Sequence, residues 1–141
     1  MSVLVDTSIW SLAIRRRRAD LSHTEAAMVD QFRRLLIASE AQLIGPIRQE
    51  VLTGIRDRST FEGLRDDLRQ YLDEPLHTED FELAAEVSNR CRSAGVSGSS
   101  VDFLMCAVAS RRGWDIFTTD RDFARYAKHV QVRVRGIDNV N

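Results

Sequence analysis

The chain has 141 residues, 43% of them hydrophobic, and its formal net charge is −1. This length and composition predict one domain, residues 1–141, with enough apolar side chains for a core. No stretch approaches the length of a membrane span, and no charged leader precedes a long apolar stretch, so we expect a soluble cytoplasmic protein with no membrane partner. The net charge argues neither for nor against a polyanionic partner, because a near-neutral total can combine an acidic pocket with a basic rim.

Two further features of the composition concern arginine and cysteine. Lys128 is the single lysine among 20 basic residues. Codon bias in a GC-rich genome is the interpretation that we favour, and phosphate recognition through the planar guanidinium fork is the alternative. Cys91 and Cys106 lie in helical patterns among apolar neighbours. We therefore expect buried free thiols in a reducing compartment, with neither a disulfide nor a zinc site.

The N-terminal half alternates between strand and helix patterns. Val3-Leu4-Val5 is a continuous apolar run, which is typical of a strand buried on both faces. A helix is predicted over residues 8–18, and residues 22–25 form a capping box that opens a long second helix. Residues 42–45 are predicted as the second strand, and Pro46 suits the first position of the helix that follows.

Helical patterns continue through the middle of the chain. Residues 59–62 have the form of another capping box, ahead of a helix that bears Leu64, Leu68 and Leu72 and that Pro75 ends. Thr78 is predicted to cap the next helix, and Gly95 lies where a C-terminal cap is expected. The predicted apolar face of that helix comprises Phe81, Ala84, Ala85 and Cys91.

The C-terminal part completes an alternating α/β pattern. A helix is predicted to start at Ser99 or Ser100 and to end near Gly113. It is followed by a strand over residues 116–119, a short helix over 122–128 and an edge strand over 131–135. Strands that alternate with helices predict an α/β fold with a mostly parallel sheet covered on both faces.

Four acidic residues lie where the apolar runs break, and they are Asp6, Glu50, Asp102 and Asp120. Asp6 and Asp120 directly follow predicted strands, at the carboxyl edge where parallel sheets bind their ligands. Glu50 and Asp102 lie near helix starts, which can face the same crevice. We therefore expect these four carboxylates to meet in one site, although they are spread over nearly the whole chain.

A cluster of carboxylates predicts a divalent metal ion, because desolvation and mutual repulsion oppose the charged forms in isolation. Mg²⁺ and Mn²⁺ prefer oxygen ligands, lower the pKa of a bound water and neutralise charge in a phosphoryl transition state. The hydroxyls of Thr7, Ser8, Thr118 and Thr119 are suited to orienting the acids or bridging a water. Asp122 is an auxiliary ligand, and a site with one ion and a site with two both remain open.

Each acid also has a purely structural interpretation. Asp6 and Asp120 are suited to capping the helices that follow them. Asp102 is suited to complementing a helix dipole from the first turn, and Glu50 to an ordinary exposed helix position. The prediction of a site therefore rests on the set of four acids and their order, and no single member would carry it.

Four segments that contain these acids resemble the PIN domain, and most closely the small toxin ribonucleases called VapC. The segments are residues 3–8, 46–54, 100–109 and 118–123. The resemblance covers nearly the full length and implies a three-layer α/β/α sandwich with a magnesium- or manganese-dependent endoribonuclease site. It also implies an RNA substrate, a homodimer, and a VapB-like antitoxin that wraps the toxin and blocks the site.

Arg15, Arg16, Arg17 and Arg18 form a basic run that has two interpretations. A solvated helix end is one, because cations are favoured near a helix C-terminus. A basic lip that binds RNA phosphates or acidic antitoxin residues is the other.

The leading hypothesis is a metal-dependent endoribonuclease, and three others belong to different classes. A receiver-like phosphoacceptor domain would need a lysine at a late strand end, whereas Lys128 lies in or just past a helix. A phosphatase with Asp6 as nucleophile would usually have a second acid two residues on, where Ser8 stands. A catalytically silent interaction module on the PIN scaffold would have no need to maintain four mutually repelling acids.

Overall fold

The structure is a computed structural model that describes residues 1–137. The strands and helices are β1 (Val3–Val5), α1 (Thr7–Ile14), α2 (His23–Ile37), β2 (Ala41–Gln42), α3 (Gly45–Leu52), α4 (Arg58–Leu68), α5 (Thr78–Ser93), α6 (Ser100–Arg112), β3 (Asp115–Phe117), α7 (Asp122–Tyr126) and β4 (Val134–Arg135). A one-turn 3-10 helix, Arg18–Asp20, lies between α1 and α2.

The sheet has the strand order β2-β1-β3-β4, and every described pairing is parallel. Leu4 lies beside Gln42 on one side and beside Ile116 on the other. Both central strands are completely buried, which explains the uninterrupted apolar sequence of β1. Strand β3 is apolar except for Asp115 at its start. Because all strands point the same way, their carboxyl ends share one edge.

Helices cover both faces of this sheet. Helix α1 packs against α2 and α3, whereas α6 packs against β1, β3, α5 and α7. The chain steps from β1 outward to β2 and then returns past β1 to β3. Right-handed crossovers in these opposite directions place the connecting helices on opposite faces. The predicted α/β/α sandwich with a parallel central sheet is confirmed.

Helix α6 is the most buried helix of the described chain, with every residue from Phe103 to Ala109 inside the core. Ser99 caps its start, and Gly113, with φ of 69°, ends it in the left-handed conformation that glycine adopts without strain. Cys91 and Cys106 are buried and free, as predicted. The core lies mainly between α6, the two central strands and the apolar side of α1 and α2.

Helix α1 is shorter than the sequence predicts. It ends at Ile14, where the N–H of Arg15 makes a last helical hydrogen bond to the Ser11 carbonyl oxygen. The predicted end at Arg18 is wrong, because the arginines after Ile14 turn away into a loop and the 3-10 helix. The basic run is therefore a connection between two helices.

The start of α4 also differs from the prediction. The N-cap is Asp57, whose carboxylate accepts hydrogen bonds from the N–H and hydroxyl of Thr60 at 2.9 and 2.7 Å. The predicted capping box at Ser59 is wrong, because the helix already starts at Arg58 and its N-cap lies two residues before Ser59. The helix ends at Leu68, and Leu72, which was predicted on its apolar face, is 89% exposed.

The N-cap position of α5 is His77, whose N–H donates to the Asp80 carboxylate, so the predicted cap at Thr78 is wrong. The helix also buries a different face from the one predicted. Phe81 is 53% exposed and Ala85 is also exposed, so the predicted apolar face is wrong at both positions. The fully buried residues are Asp80, Val87 and Cys91. The face is rotated because Asp80 turns inward to meet two arginines of α6.

Strands β2, β3 and β4 differ from their predicted bounds by up to three residues. Strand β2 ends at Gln42, since Gly45 already belongs to α3, and β4 is limited to Val134–Arg135. Strand β3 ends at Phe117, so Thr118 and Thr119 lie beyond it in the described structure. This displacement makes their backbone and hydroxyl groups available to the residues at the end of β1.

Candidate active site

Asp6 is the centre of a hydrogen-bonded cluster at the carboxyl edge of the sheet. Its Oδ1 accepts the N–H of Thr7 at 2.8 Å, which makes Asp6 the N-cap of α1. Its Oδ2 accepts the hydroxyls of Thr118 at 2.7 Å and Ser8 at 3.1 Å. The capping interpretation of Asp6 is confirmed. The same residue is 8% exposed, and its carboxylate joins the end of β1 to the segment that follows β3.

The segment after β3 is held against this cluster by backbone donors. Thr118 Oγ1 accepts the N–H of Asp120 at 3.0 Å, and Ser8 Oγ accepts the N–H of Thr119 at 3.2 Å. Asp120 Oδ1 accepts the N–H of Asp122 at 2.9 Å. The hydroxyls of Ser8 and Thr118 therefore contact both the Asp6 carboxylate and the segment that carries Asp120, whereas Thr119 contributes its backbone.

Asp102 lies in the first turn of α6 and takes part in a capping box. Its N–H donates to Ser99 Oγ at 3.1 Å, and its Oδ2 accepts the N–H of Ser99 at 3.4 Å. The same Oδ2 accepts the hydroxyl of Tyr126 at 3.1 Å. Sequence reasoning missed Tyr126, because only the packing of α7 on α6 brings its hydroxyl to this carboxylate.

The negative charges of the four acids affect the pKa values within the group. Burial, and then the charge of Asp102, raises the pKa of Asp6. Burial, and then Asp120, raises the pKa of Asp102. Glu50 is exposed on α3, and its pKa is raised by partial burial and then by Asp6 and Asp102. The four predicted acids thus come from four separate elements and influence one another electrostatically, Asp120 through Asp102.

The residues present suit a hydrated divalent ion. Their donors are all oxygens, and a cation would relieve the repulsion that raises the pKa values of three of the acids. Thr7 Oγ1 is buried, and no hydrogen bond of normal length to it is found among residues 1–137. It still lies close enough to Glu50 to favour the charged form of that carboxylate. No group of three or more acidic, histidine or cysteine side chains in those residues is arranged to hold a metal. Magnesium commonly uses one or two carboxylates and keeps several waters, so such a group is not required.

The raised pKa values predict an unusual pH dependence of stability. Lowering the pH from neutral towards the unfolded-state Asp pKa of about 4 is expected to raise the Tm of the metal-free protein. In that range the folded protein binds more protons than the unfolded chain, so the contribution of Asp6 and Asp102 falls as pH rises through their raised pKa values. Calorimetric scans of wild type and Asp6→Asn at each pH test this, and the variant is expected to respond less. An identical pH response in both proteins would contradict it.

The arginine run lies at the opposite end of α1 from Asp6. An eight-residue helix separates them, which corresponds to about 12 Å along the helix axis. Arg16 pairs with Glu25 at 2.9 Å, and Arg18 pairs with Asp30 through two hydrogen bonds of 3.0 and 3.2 Å. These two arginines therefore anchor the loop to α2. Arg15 and Arg17 are exposed, and no ion pair of theirs is found in the described part of the chain.

Two other residues that entered the sequence hypotheses have definite positions. Asp122 opens α7 and its carboxylate accepts Arg125 at 2.5 Å, so binding a metal would compete with this ion pair. Lys128 is exposed two residues beyond the end of α7. It does not follow a strand, which is the position that a receiver-like phosphoacceptor site would require.

Buried acids also occur away from the site. Asp80 is fully buried and forms ion pairs with Arg111 and Arg112. Asp115, at the amino end of β3, pairs with Arg135 at 2.6 Å. Their arginine partners satisfy them, so they need no metal. A signal for Asp80 exists in the sequence, because it occupies the third position of α5, where an acid can accept the N–H of the capping residue.

The protein is therefore an α/β protein whose parallel sheet has acidic residues near its carboxyl edge. A family model described as PIN domain matches residues 3–129. Since this match covers most of the chain, the protein belongs to the PIN-domain family. No curated protein matches the sequence.

Solved structures share the fold at low sequence identity. The crystal structure of FitAcB from Neisseria gonorrhoeae is 18% identical with a TM-score of 0.72, covering 94% of this chain and 95% of that chain. VapBC2 from Rickettsia felis, bound to a DNA fragment from its promoter, is 12% identical with a TM-score of 0.68, covering 96% and 98%. FitAB bound to an IR36 DNA fragment is 17% identical with a TM-score of 0.71, covering 94% and 92%.

None of the helices within residues 1–137 combines the length and the apolar composition that crossing a membrane would need.

Proposed function

We propose that this protein is a magnesium- or manganese-dependent endoribonuclease that acts as the toxin of a toxin–antitoxin pair. The observation that carries the proposal is the convergence of Asp6, Glu50, Asp102 and Asp120, with raised pKa values at three of them. Membership of the PIN-domain family supports nuclease chemistry at this edge of the sheet.

The chain's own residues would divide the work of hydrolysing a phosphodiester bond. Asp6, Glu50, Asp102 and Asp120 would hold the ion, with Asp122 as an auxiliary ligand. When bound, Mg²⁺ or Mn²⁺ supplies an activated water and neutralises charge on the phosphate. Ser8 and Thr118 hold the Asp6 carboxylate in place through two hydrogen bonds, and they also bind the backbone of the segment that carries Asp120.

The proposed partners are an RNA substrate, a VapB-like antitoxin and a second copy of the chain. The similarity in fold to FitAcB, VapBC2 and FitAB supports an antitoxin partner that blocks the site and so releases translation and growth from inhibition. Arg15 and Arg17 are exposed and are candidates for contacts with RNA phosphates or with acidic antitoxin residues.

A catalytically silent interaction module on the PIN scaffold is the second candidate. It is favoured by one observation: no three potential metal ligands within residues 1–137 are arranged as a preformed cage. The two candidates differ in whether the acids bind a divalent ion with measurable affinity.

A metal-replacement experiment tests the proposed activity. Protein stripped with a chelator is expected to leave a structured RNA intact and to cleave it once Mg²⁺ or Mn²⁺ is restored, because the carboxylates need the ion to activate water. Since water is the nucleophile, the new ends should carry no 2′,3′-cyclic phosphate, and a 2′-deoxy substitution at the cut site should be tolerated. Cleavage in excess chelator, or cyclic phosphate ends, would refute the mechanism.

The matched control for this assay is Asp66→Asn. Asp66 lies on α4, where its side chain is 58% exposed and pairs with Arg65 and Arg69. Removing its charge leaves the acidic cluster intact, so metal-dependent cleavage should stay at the wild-type rate. Absence of both Mn²⁺ binding and cleavage in wild-type protein would favour the silent module.

A further inference from the structure

Tyr126 is a buried side chain that joins two parts of the acidic cluster. It lies at the end of α7, the helix that follows Asp120, and is only 1% exposed. Its hydroxyl lies 3.1 Å from Asp102 Oδ2 and 3.4 Å from the carbonyl oxygen of Ser97. A single phenolic hydrogen can be donated to one acceptor at a time, and the shorter contact is the one to the carboxylate.

The ring of Tyr126 is fixed by its neighbours. Edge-to-face contacts place it 5.2 Å from the ring centroid of Phe103 and 5.2 Å from that of Phe123. These phenylalanines directly follow Asp102 and Asp122, so the three rings pack α7 against the start of α6. The position of the hydroxyl is therefore determined by core packing, and a fixed donor can restrict the rotation of the carboxylate it binds.

Gly98 makes room for this hydroxyl. A Cβ atom placed on Gly98 would lie 2.5 Å from the Tyr126 hydroxyl oxygen, 2.8 Å from its Cζ and 2.9 Å from Phe103 Cζ. Such distances are too short for carbon contacts, so a side chain at Gly98 would force the Tyr126 ring or the exposed loop around Gly98 to shift. A shift of the ring would lengthen its hydrogen bond to Asp102.

We propose that Tyr126 is a positioning residue for the candidate metal site, that its hydrogen bond orients the Asp102 carboxylate for metal binding, and that Gly98 is required because it admits this hydroxyl. The inference rests on the proposed function. Oδ2 of Asp102 is occupied by Tyr126 and Ser99, and no hydrogen bond to Oδ1 is found in the described part of the chain. The arrangement thus leaves one oxygen of a fixed carboxylate for the ion.

The test is Mn²⁺ titration calorimetry on wild type, Tyr126→Phe and Tyr71→Phe. Tyr71 is the only other tyrosine, and its ring packs on Trp10. We expect the Kd for Mn²⁺ to rise about 10-fold in Tyr126→Phe and to stay unchanged in Tyr71→Phe, since partners of metal ligands typically contribute 10- to 100-fold in affinity. RNA cleavage by Tyr126→Phe should recover at saturating Mn²⁺, which a general loss of structure would not allow.

The Gly98→Ala variant adds an independent route to the same contact. It should also weaken Mn²⁺ binding, and in the Tyr126→Phe background it should weaken binding little further, because both changes remove one hydrogen bond. Equal Kd values in wild type and Tyr126→Phe would overturn this inference and leave the proposed nuclease intact. Failure of the wild type to bind Mn²⁺ would overturn both.

Discussion

Asp6→Asn is expected to lower metal-dependent RNA cleavage by more than about 100-fold, beyond the loss typical of a residue that only supports a metal ligand. The substitution keeps the shape of the side chain and removes the charge that would bind the ion. An asparagine oxygen can still accept the N–H of Thr7, so the start of α1 remains capped.

The same variant is expected to be at least as stable as wild type when no metal is present. Burial and the charge of Asp102 raise the pKa of Asp6, which means that the folded protein disfavours its charged form. Removing that charge relieves the repulsion, and the hydroxyls of Ser8 and Thr118 can accept hydrogen bonds as well as donate them. Scanning calorimetry without metal should therefore show an unchanged or higher Tm.

The two readouts together separate a functional role from a structural one. Loss of cleavage with an intact Tm would identify Asp6 as a residue of the active site. A large fall in Tm would show that Asp6 is mainly a helix cap, and wild-type cleavage by the folded variant would remove it from the site. Asp66→Asn, assayed in parallel, measures the effect of losing one acidic charge at the surface.

Asp80→Asn is expected to lower the free energy of unfolding by about 3–5 kcal/mol, the usual consequence of removing one partner from a buried ion pair. Asp80 is fully buried, and its carboxylate accepts Arg111 at 2.6 Å and Arg112 at 2.8 and 3.0 Å. It also accepts the N–H of His77 at 2.8 Å, which closes the first turn of α5. The variant would leave Arg112, itself largely buried, with Glu74 as its remaining counter-charge.

The pH dependence of this contribution has the opposite sign from that of Asp6. The hydrogen bonds and charge of Arg112, with hydrogen bonds from the His77 backbone and the Arg111 side chain, hold the pKa of Asp80 far below its ordinary value. Its stabilisation is therefore fully present above the unfolded pKa of about 3.9 and is lost as pH falls through the folded pKa. Acid unfolding should begin at a higher pH in the variant, because it lacks this carboxylate.

Urea titration monitored by circular dichroism measures the effect, with Glu79→Gln as the matched control. Glu79 is the adjacent residue of α5 and is exposed, so its neutralisation should change stability by less than about 0.5 kcal/mol. Equal midpoints for Asp80→Asn and Glu79→Gln would show that the buried ion pairs contribute little net stability.

Local patterns in the sequence were sufficient for the order of the elements. The apolar run at Val3-Leu4-Val5 and the capping box of α2 at Ser22 were both found as predicted. Elements whose ends depend on distant groups were misplaced. Helix α1 ends at Ile14 because Arg16 and Arg18 pair with residues of α2, and no local signal marks that end.

The sequence alone determined the fold class and the identity of the acids that converge. Strand-to-helix alternation requires parallel strands, and the residues that follow such strands must share one edge of the sheet. Asp6 and Asp120 were therefore identifiable from their places after predicted strands, and Glu50 and Asp102 from their places near helix starts. The resemblance to PIN domains supported the four acids as a set.

Only the tertiary structure decided which partner each carboxylate has. The bond from Thr118 to Asp6 spans 112 residues of chain, and the bond from Tyr126 to Asp102 spans 24. The inward turn of Asp80 likewise depends on arginines more than 30 residues away. Hydrogen bonds of this kind have a range of about 3 Å, so they form only when the packing of whole helices and strands has already brought the two groups together.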